Sequence, residues 1–358
     1  MAYELDHSVW VYYFVWYGFP QSPDDDFGLA HWMNPREYTD KEGKVCKKDM
    51  RDPRNWIAPG KRDAAASHYP LLGCYKSDDE NVILWHLEKI RQAGIDGLMV
   101  SWFGPNGPDG SIEPTEKVLR MLPPLAKEYD LHIGINFDGV PEPDVAVKRL
   151  KHIWEMWGEN ERFLDSEGRI MVYCWMWGML GCAGIDRIKA QLEAAGTRFF
   201  LVGDAPFFKE LIPEGEDPEA LGERFDALGH FTCLPDEDMI AQHELARKLG
   251  KLSVGTVSPG IDISSCRVEG HRPVVLCPRE DGKFYKNKWD LVAGQCDTDV
   301  VFIDSWNEWH EGAEIEPSRE YGDLYLGATR YYAKLYRERR WNEFSNEELE
   351  QHLDLQIE

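Results

Sequence analysis

"DVVFIDSW" (299–306) is an apolar run that ends in polar and aromatic residues, and it passes straight into "NEWHEGAEIE" (307–316). A continuous apolar run of this length reads as a strand covered on both faces, as in parallel sheets packed between helices. Seven earlier runs share its character: "VWVYYFVWY" (9–17), "DGLMVSWF" (96–103), "LHIGINFD" (131–138), "RIMVYCWMW" (169–177), "RFFLVGD" (198–204), "FDALGHFT" (225–232) and "KLSVGTVS" (251–258). Amphipathic stretches separate them, among them "DENVILWHLEKIRQAG", "PTEKVLRMLPPLAKEY" and "DEDMIAQHELARKLG"; "LYLGATRYYAKLYRERRW" closes the series. Several open on Asp, Glu or Pro and close on Gly, as capped helices do. The weakest link is 205–224, acidic and rich in Pro and Gly, with room for only a short helix.

Eight such units predict an α/β fold of the (β/α)8 TIM-barrel type. The alternative, a doubly wound open sheet, wants a Gly-rich phosphate turn after an early strand, and none is present. The expected organisation is one catalytic domain over 1–358. Within it, 18–78 is too long for an ordinary βα loop and carries Pro, Asp, Trp and His, so it is expected to fold over the C-terminal face and wall a cleft; 340–358 is a C-terminal tail.

The chain carries 40 Lys and Arg against 64 Asp and Glu, a formal charge of −24, which argues against nucleic acid and anionic membranes as partners. No run reaches the roughly 18 apolar residues of a membrane span. Eight cysteines with no CxxC pair read as free thiols, and "MAYELDHSVW" lacks a signal-peptide pattern; a cytoplasmic location is expected, or a periplasmic or secreted one if a leader has been removed. The 14 tryptophans suit either a core or the flat face of a sugar.

Reactive groups of a barrel sit at the C-terminal ends of its strands. Here those ends offer Trp16 and Tyr17; Ser101, Trp102 and Phe103; Asn136 and Asp138; Tyr173, Trp175 and Trp177; Asp204; Thr256 and Ser258; and Asn307, Glu308, Trp309, His310 and Glu311. Carboxylates and aromatics with almost no Lys or Arg favour a neutral polyol over an anionic substrate. Glu308 and Glu311 are three apart and face one cavity only if the chain turns after Glu308, which Gly312 makes easy. Two such carboxyls are the minimum for glycoside hydrolysis, and their repulsion beside Trp306 and Trp309 would raise one pKa. Blander roles are open for several residues: Glu314 and Glu316 as hydrogen-bonded or solvated structure, His31 as a packed core histidine, Asp138 as a helix cap. His310 between two glutamates does not make an HExxH site, and no metal or other cofactor is expected.

The stretches "YYFVWYG" (12–18), "HW" (31–32), "HYPLLGCYKSDDENVILWHLEKIRQAGIDGLMVSWFG" (68–104), "GTVSPGID" (255–262) and "SWNEWHEGAEIEPS" (305–318) resemble glycoside hydrolase family 99, the endo-α-mannosidase and endo-α-mannanase family, and the GH99-like domains found beside bacterial polysaccharide genes. The resemblance implies a (β/α)8 barrel that cleaves an internal α-mannosidic bond with retention, without a protein nucleophile. The substrate's own 2-hydroxyl attacks C1 to form a 1,2-anhydro sugar. Glu308 would deprotonate that hydroxyl; Glu311 would protonate the leaving oxygen and then activate water. By the same resemblance Tyr17, His31, Trp32, Trp102 and Tyr173 would line sugar subsites, with Asn136, Asp138, Asn307, Trp309 and His310 at the substrate. The partner implied is an oligosaccharide or polysaccharide. The family's "HIEPY"-like run after the third strand is replaced here by "NFDGV" (136–140), which bears on sugar specificity more than on reaction type. The competing expectation is a polysaccharide-assembly protein acting as a glycosyltransferase or glycan-binding module; a third is a metal-dependent barrel hydrolase.

Overall fold

The structure, a computed structural model, describes residues 2–18, 31–32, 37–39, 45–47, 51–106, 112–204, 212–231, 235–266 and 275–354. Eight parallel strands close a barrel: β1 (Ser8–Tyr13), β2 (Gly97–Trp102), β3 (His132–Phe137), β4 (Ile170–Cys174), β5 (Phe199–Gly203), β6 (Ala227–Leu228), β7 (Leu252–Val257) and β8 (Val300–Ile303). Closure runs through β1, where Val11 lies beside Ile303 of β8 on one side and Leu98 of β2 on the other. Seven of the eight strands fall inside the apolar runs read from the sequence; β1 begins one residue earlier, at Ser8, and β6 is reduced to two residues.

Strand period divides the side chains into two cores. Inside the barrel lie Trp10 and Tyr12 of β1, Met99 of β2, Met171 and Tyr173 of β4, Phe200 and Val202 of β5, and Phe302 of β8. Their neighbours in sequence, such as Val11, Val100, Val172 and Ile303, point outward and pack beneath the helices. The interior is a stack of rings: Tyr12 meets Tyr173 edge-on at 5.7 Å and Phe302 at 5.5 Å.

The helices are α1 (Glu80–Gln92), α2 (Pro114–Glu128), α3 (Pro143–Trp157), α4 (Gly181–Ala194), the short α5 (Pro218–Gly222), α6 (Asp236–Leu249), α7 (Lys283–Trp289, continued by a π turn to Gln295), α8 (Leu324–Arg337) and α9 (Asn346–Asp354). Capping follows sequence logic: the Asp79 carboxylate accepts from the Asn81 amide, and Glu113 accepts from Thr115 ahead of Pro114. The 340–358 tail carries α9, which packs on α8. Of 18–78, the end nearest α1 runs along the C-terminal mouth: the Ser67 amide donates to the Trp309 carbonyl, and Pro70 bridges to Ser318. Among the described residues no helix is long and apolar enough to cross a membrane.

Candidate active site

Beyond β8 the chain reverses within a few residues. The Glu308 carbonyl accepts from the Ala313 amide at 3.1 Å, and the Trp309 carbonyl accepts from Gly312 at 3.4 Å. Gly312 sits at φ +56°, and a Cβ there would come within 2.9 Å of the Asp262 carbonyl, so this position suits glycine on two counts. The bend puts Glu308 and Glu311 on one tight turn at the barrel mouth.

Glu308 is buried at the floor. Its amide donates to Ser305 Oγ at 2.7 Å, and its carboxylate accepts from the His310 amide at 3.1 Å. Burial pushes its pKa well above the usual carboxylate range; the negative charges of Glu311, Asp304 and Asp138 push the same way, against the His310 N–H. Glu311 stands at the rim, exposed to the opening, and loss of hydration among its neighbours raises its pKa too. Asp138 lies within electrostatic reach of Glu308, accepts a hydrogen bond from Ser101 Oγ at 2.8 Å, and is raised chiefly by burial. Asn136, buried on the inner face of β3, donates to the same Ser101 oxygen at 3.4 Å. Just beyond the C-terminal end of β5, the buried Asp204 accepts from the Tyr173 hydroxyl and the Met176 amide, and burial pushes its carboxyl up to about 7.

One wall of the mouth is a run of stacked rings. His31 lies on Trp16 at 4.2 Å and 10°, Trp16 stacks on Phe14 at 4.4 Å, and Phe103 adds to Trp16 at 5.7 Å. His310 meets His31 edge-on at 5.4 Å. Trp16, His31 and His310 are half-buried and Phe103 is more exposed, so the wall is open to a ligand.

Several residues expected at the substrate are instead buried braces. Asn307 clamps the backbone of Phe14, accepting from its amide and donating to its carbonyl, both at 2.8 Å. The Tyr17 hydroxyl donates to the Asn307 carbonyl and accepts from the Trp309 amide. The Trp309 and Trp32 indoles donate to Tyr75, and Trp309 also reaches Glu316. All four of these expected residues are sealed from solvent. Trp102 is a correction of another kind. Its parity on β2 turns it outward, where its indole donates to the buried Glu116 of α2 at 2.9 Å. Tyr173 is inside the barrel but fully covered, below the opening.

Glu314 and Glu316 are structural. Glu314 receives Arg279 and His68, and Glu316 receives the Tyr75 hydroxyl while facing His86 of α1 at 3.2 Å. Among the described residues no group of three or more His, Cys, Asp or Glu is placed to hold a metal ion. Cys74, Cys174, Cys182, Cys277 and Cys296 are free thiols.

A closed parallel barrel with its titratable groups gathered at the strand C-termini defines the class, a (β/α)8-barrel enzyme with an acidic, aromatic-walled mouth. Within that class the chain belongs to glycosyl hydrolase family 99, whose model matches residues 4–345. It is therefore a glycoside hydrolase. The glycoprotein endo-alpha-1,2-mannosidase of Rattus norvegicus is 25% identical across 99% of this chain and 78% of its own length. The glycoprotein endo-alpha-1,2-mannosidase-like protein of Homo sapiens is 25% identical across 96% and 77%. Among solved structures, the GH99 endo-alpha-mannosidase from Bacteroides thetaiotaomicron superposes with a TM-score of 0.70 at 20% identity, covering 94% of this chain and 99% of that one, a likeness of fold.

Proposed function

We propose that the protein is a retaining, endo-acting α-glycosidase that cleaves an α-mannosidic or similar linkage inside a glycan, with Glu308 and Glu311 as its working pair. The observation that carries this reading is their placement on one turn, Glu308 at the floor with 5% of its surface still exposed and Glu311 open at the rim. A carboxylate deprived of water and ringed by negative charge is a stronger base than a solvated one. Glu308 is thus suited to take the proton of a sugar 2-hydroxyl as that oxygen attacks C1 and the glycosidic bond breaks. Glu311 at the rim is suited to give its proton to the departing oxygen, where the leaving sugar can diffuse out. Water then opens the 1,2-anhydro sugar at C1: Glu311 takes its proton, and Glu308 returns the first proton to O2. Protons balance over the two steps, and no covalent glycosyl-enzyme is formed.

Trp16, His31 and Phe103 supply flat apolar surface for the C–H faces of sugar rings. Asp138 is positioned to accept from a ring hydroxyl near Glu308. The test is a pair of variants, Glu308→Gln and Glu311→Gln, assayed on α-mannosyl oligosaccharides. Each is expected to lose at least 10²–10³-fold in kcat with glycan affinity held within a few-fold, and azide should rescue neither. Full turnover by either variant, or an azide adduct from Glu308→Gln, would overturn the assignment.

A further inference from the structure

Some distance along the rim from the acidic turn stands a second aromatic feature. Trp56–Ala58 and Lys61–Arg62 form a short antiparallel hairpin in the loop that precedes α1. Trp56 is 59% exposed, although the hairpin beneath it is firmly tied down. The Arg62 guanidinium lies 4.1 Å from the ring centroid and covers one face of the indole. Arg62 is itself held, its side chain donating to the Pro53 carbonyl and its amide to the Tyr69 hydroxyl. The Asp63 amide donates to the Asn55 carbonyl at 3.0 Å, and Arg319 donates to the Gly60 carbonyl at the hairpin tip. Single exposed apolar residues are ordinary on protein surfaces. An indole with one face against a cation and more than half its surface exposed is less so, because holding it there sacrifices burial of a large apolar ring.

Position adds the second argument. The hairpin is continuous with the mouth: Arg62 is five residues from Ser67, a reach of at most about 18 Å, and Ser67 donates to both the Trp309 and Asp262 carbonyls beside the catalytic turn. The Asp262 amide in turn donates to the Glu311 carbonyl. An endo-acting enzyme binds chain on both sides of the broken bond, so glycan leaving the cleft runs over such a rim.

We propose that Trp56 is a distal subsite in which a pyranose ring of the glycan chain, remote from the cleaved linkage, stacks on the exposed indole. The inference rests on the glycosidase reading above and adds to it that substrate length is sensed outside the cleft. Trp56 touches none of the groups assigned to the chemistry, so Trp56→Ala leaves those groups in place.

Two measurements test it. On a soluble α-mannan polysaccharide, Trp56→Ala should raise KM and lower kcat/KM roughly fivefold, the effect of one lost ring stack. On a chromogenic α-mannobioside it should match the parent, and Trp56→Phe should fall between on the polysaccharide. Equal polysaccharide kinetics, or an equal loss on both substrates, overturns the proposal. Affinity electrophoresis through α-mannan in the Glu311→Gln background reads binding without turnover: weaker retardation of the Trp56→Ala variant supports the subsite. Equal migration, whether both proteins are retarded or neither is, overturns it, as does a change confined to sedimentation, which would mark Trp56 as a contact between two copies of the chain. A parent that cleaves neither substrate counts against the glycosidase reading instead, and the gel still decides the role of Trp56.

Discussion

The hydroxyl of Tyr17 holds Glu308 without touching its carboxylate: it donates to the Asn307 carbonyl at 2.8 Å and accepts from the Trp309 amide at 3.0 Å, gripping the backbone on both sides of the proposed base. Tyr17 is itself wedged against Trp32 at 4.4 Å, and Trp32 is tied to the Tyr75 carbonyl. The geometry of the turn therefore depends on a residue of the strand-one loop, 291 positions earlier in the chain.

Removing that hydroxyl should cost both stability and activity. Tyr17→Phe keeps the ring packing and loses two hydrogen bonds, about 1–3 kcal/mol in unfolding free energy. A displacement of Glu308 by a fraction of an ångström should cost about 10- to 100-fold in kcat, with KM within a few-fold. Chemical denaturation and steady-state kinetics on one protein batch check both. Unchanged kcat would show that the turn holds itself.

The pH dependence of turnover should sit on the alkaline side of ordinary glutamates. Burial raises Glu308 and loss of hydration among its neighbours raises Glu311, so the pair keeps a proton to higher pH than solvated carboxyls near 4.3. The limbs of kcat/KM belong to the pair as a whole. Both limbs are expected above pH 4.3, with activity low at pH 4 and rising as pH increases from there. A profile already at its maximum by pH 4 would contradict this account of the site.

Asp204 should make the fold less stable as pH rises. Its carboxyl is raised from 3.8 to about 7, so between those values the native state holds a proton that the unfolded chain releases. Its contribution is fully present below about pH 4, declines as pH rises, and levels off above about 7, by at most about 4 kcal/mol. Asp204→Asn should flatten this part of the curve, seen as a smaller drop in urea midpoint from pH 5 to pH 8 than in the parent. An equal drop in both proteins would assign the effect to other groups.

How much of this was legible in the sequence follows from strand parity. The barrel itself was, because eight apolar runs with helical spacers leave few other arrangements. The turn at 308–312 was also legible, since only a bend could bring both glutamates to one mouth. The ring of contacts is less so, because the residues at each strand end divide between the barrel interior and the helix-facing side. Trp10, Tyr12, Phe14 and Trp16 alternate inward on β1 and its extension, which marks Trp16 for the wall and leaves Tyr17 to the packing behind it. The same count on β2 puts Met99 and Ser101 inside, brings Phe103 to the mouth, and turns Trp102 to the helices. It also selects Asp304 after Phe302, a charge on Glu308 that the motif "NEWHE" does not contain. What parity cannot supply is the bracing by Tyr17, Asn307 and Tyr75, which joins segments far apart in sequence through irregular loops. The expectations on residues 18–78 fall partly outside the described residues.

The most direct test of the central claim is a crystal structure of Glu311→Gln soaked with an α-mannosyl oligosaccharide spanning the cleavage point. The account predicts a sugar in the mouth with its 2-hydroxyl within hydrogen-bond distance of the Glu308 carboxylate, and its glycosidic oxygen beside residue 311. A glycan bound with residue 308 facing only protein, or with the two positions serving different cavities, would contradict it.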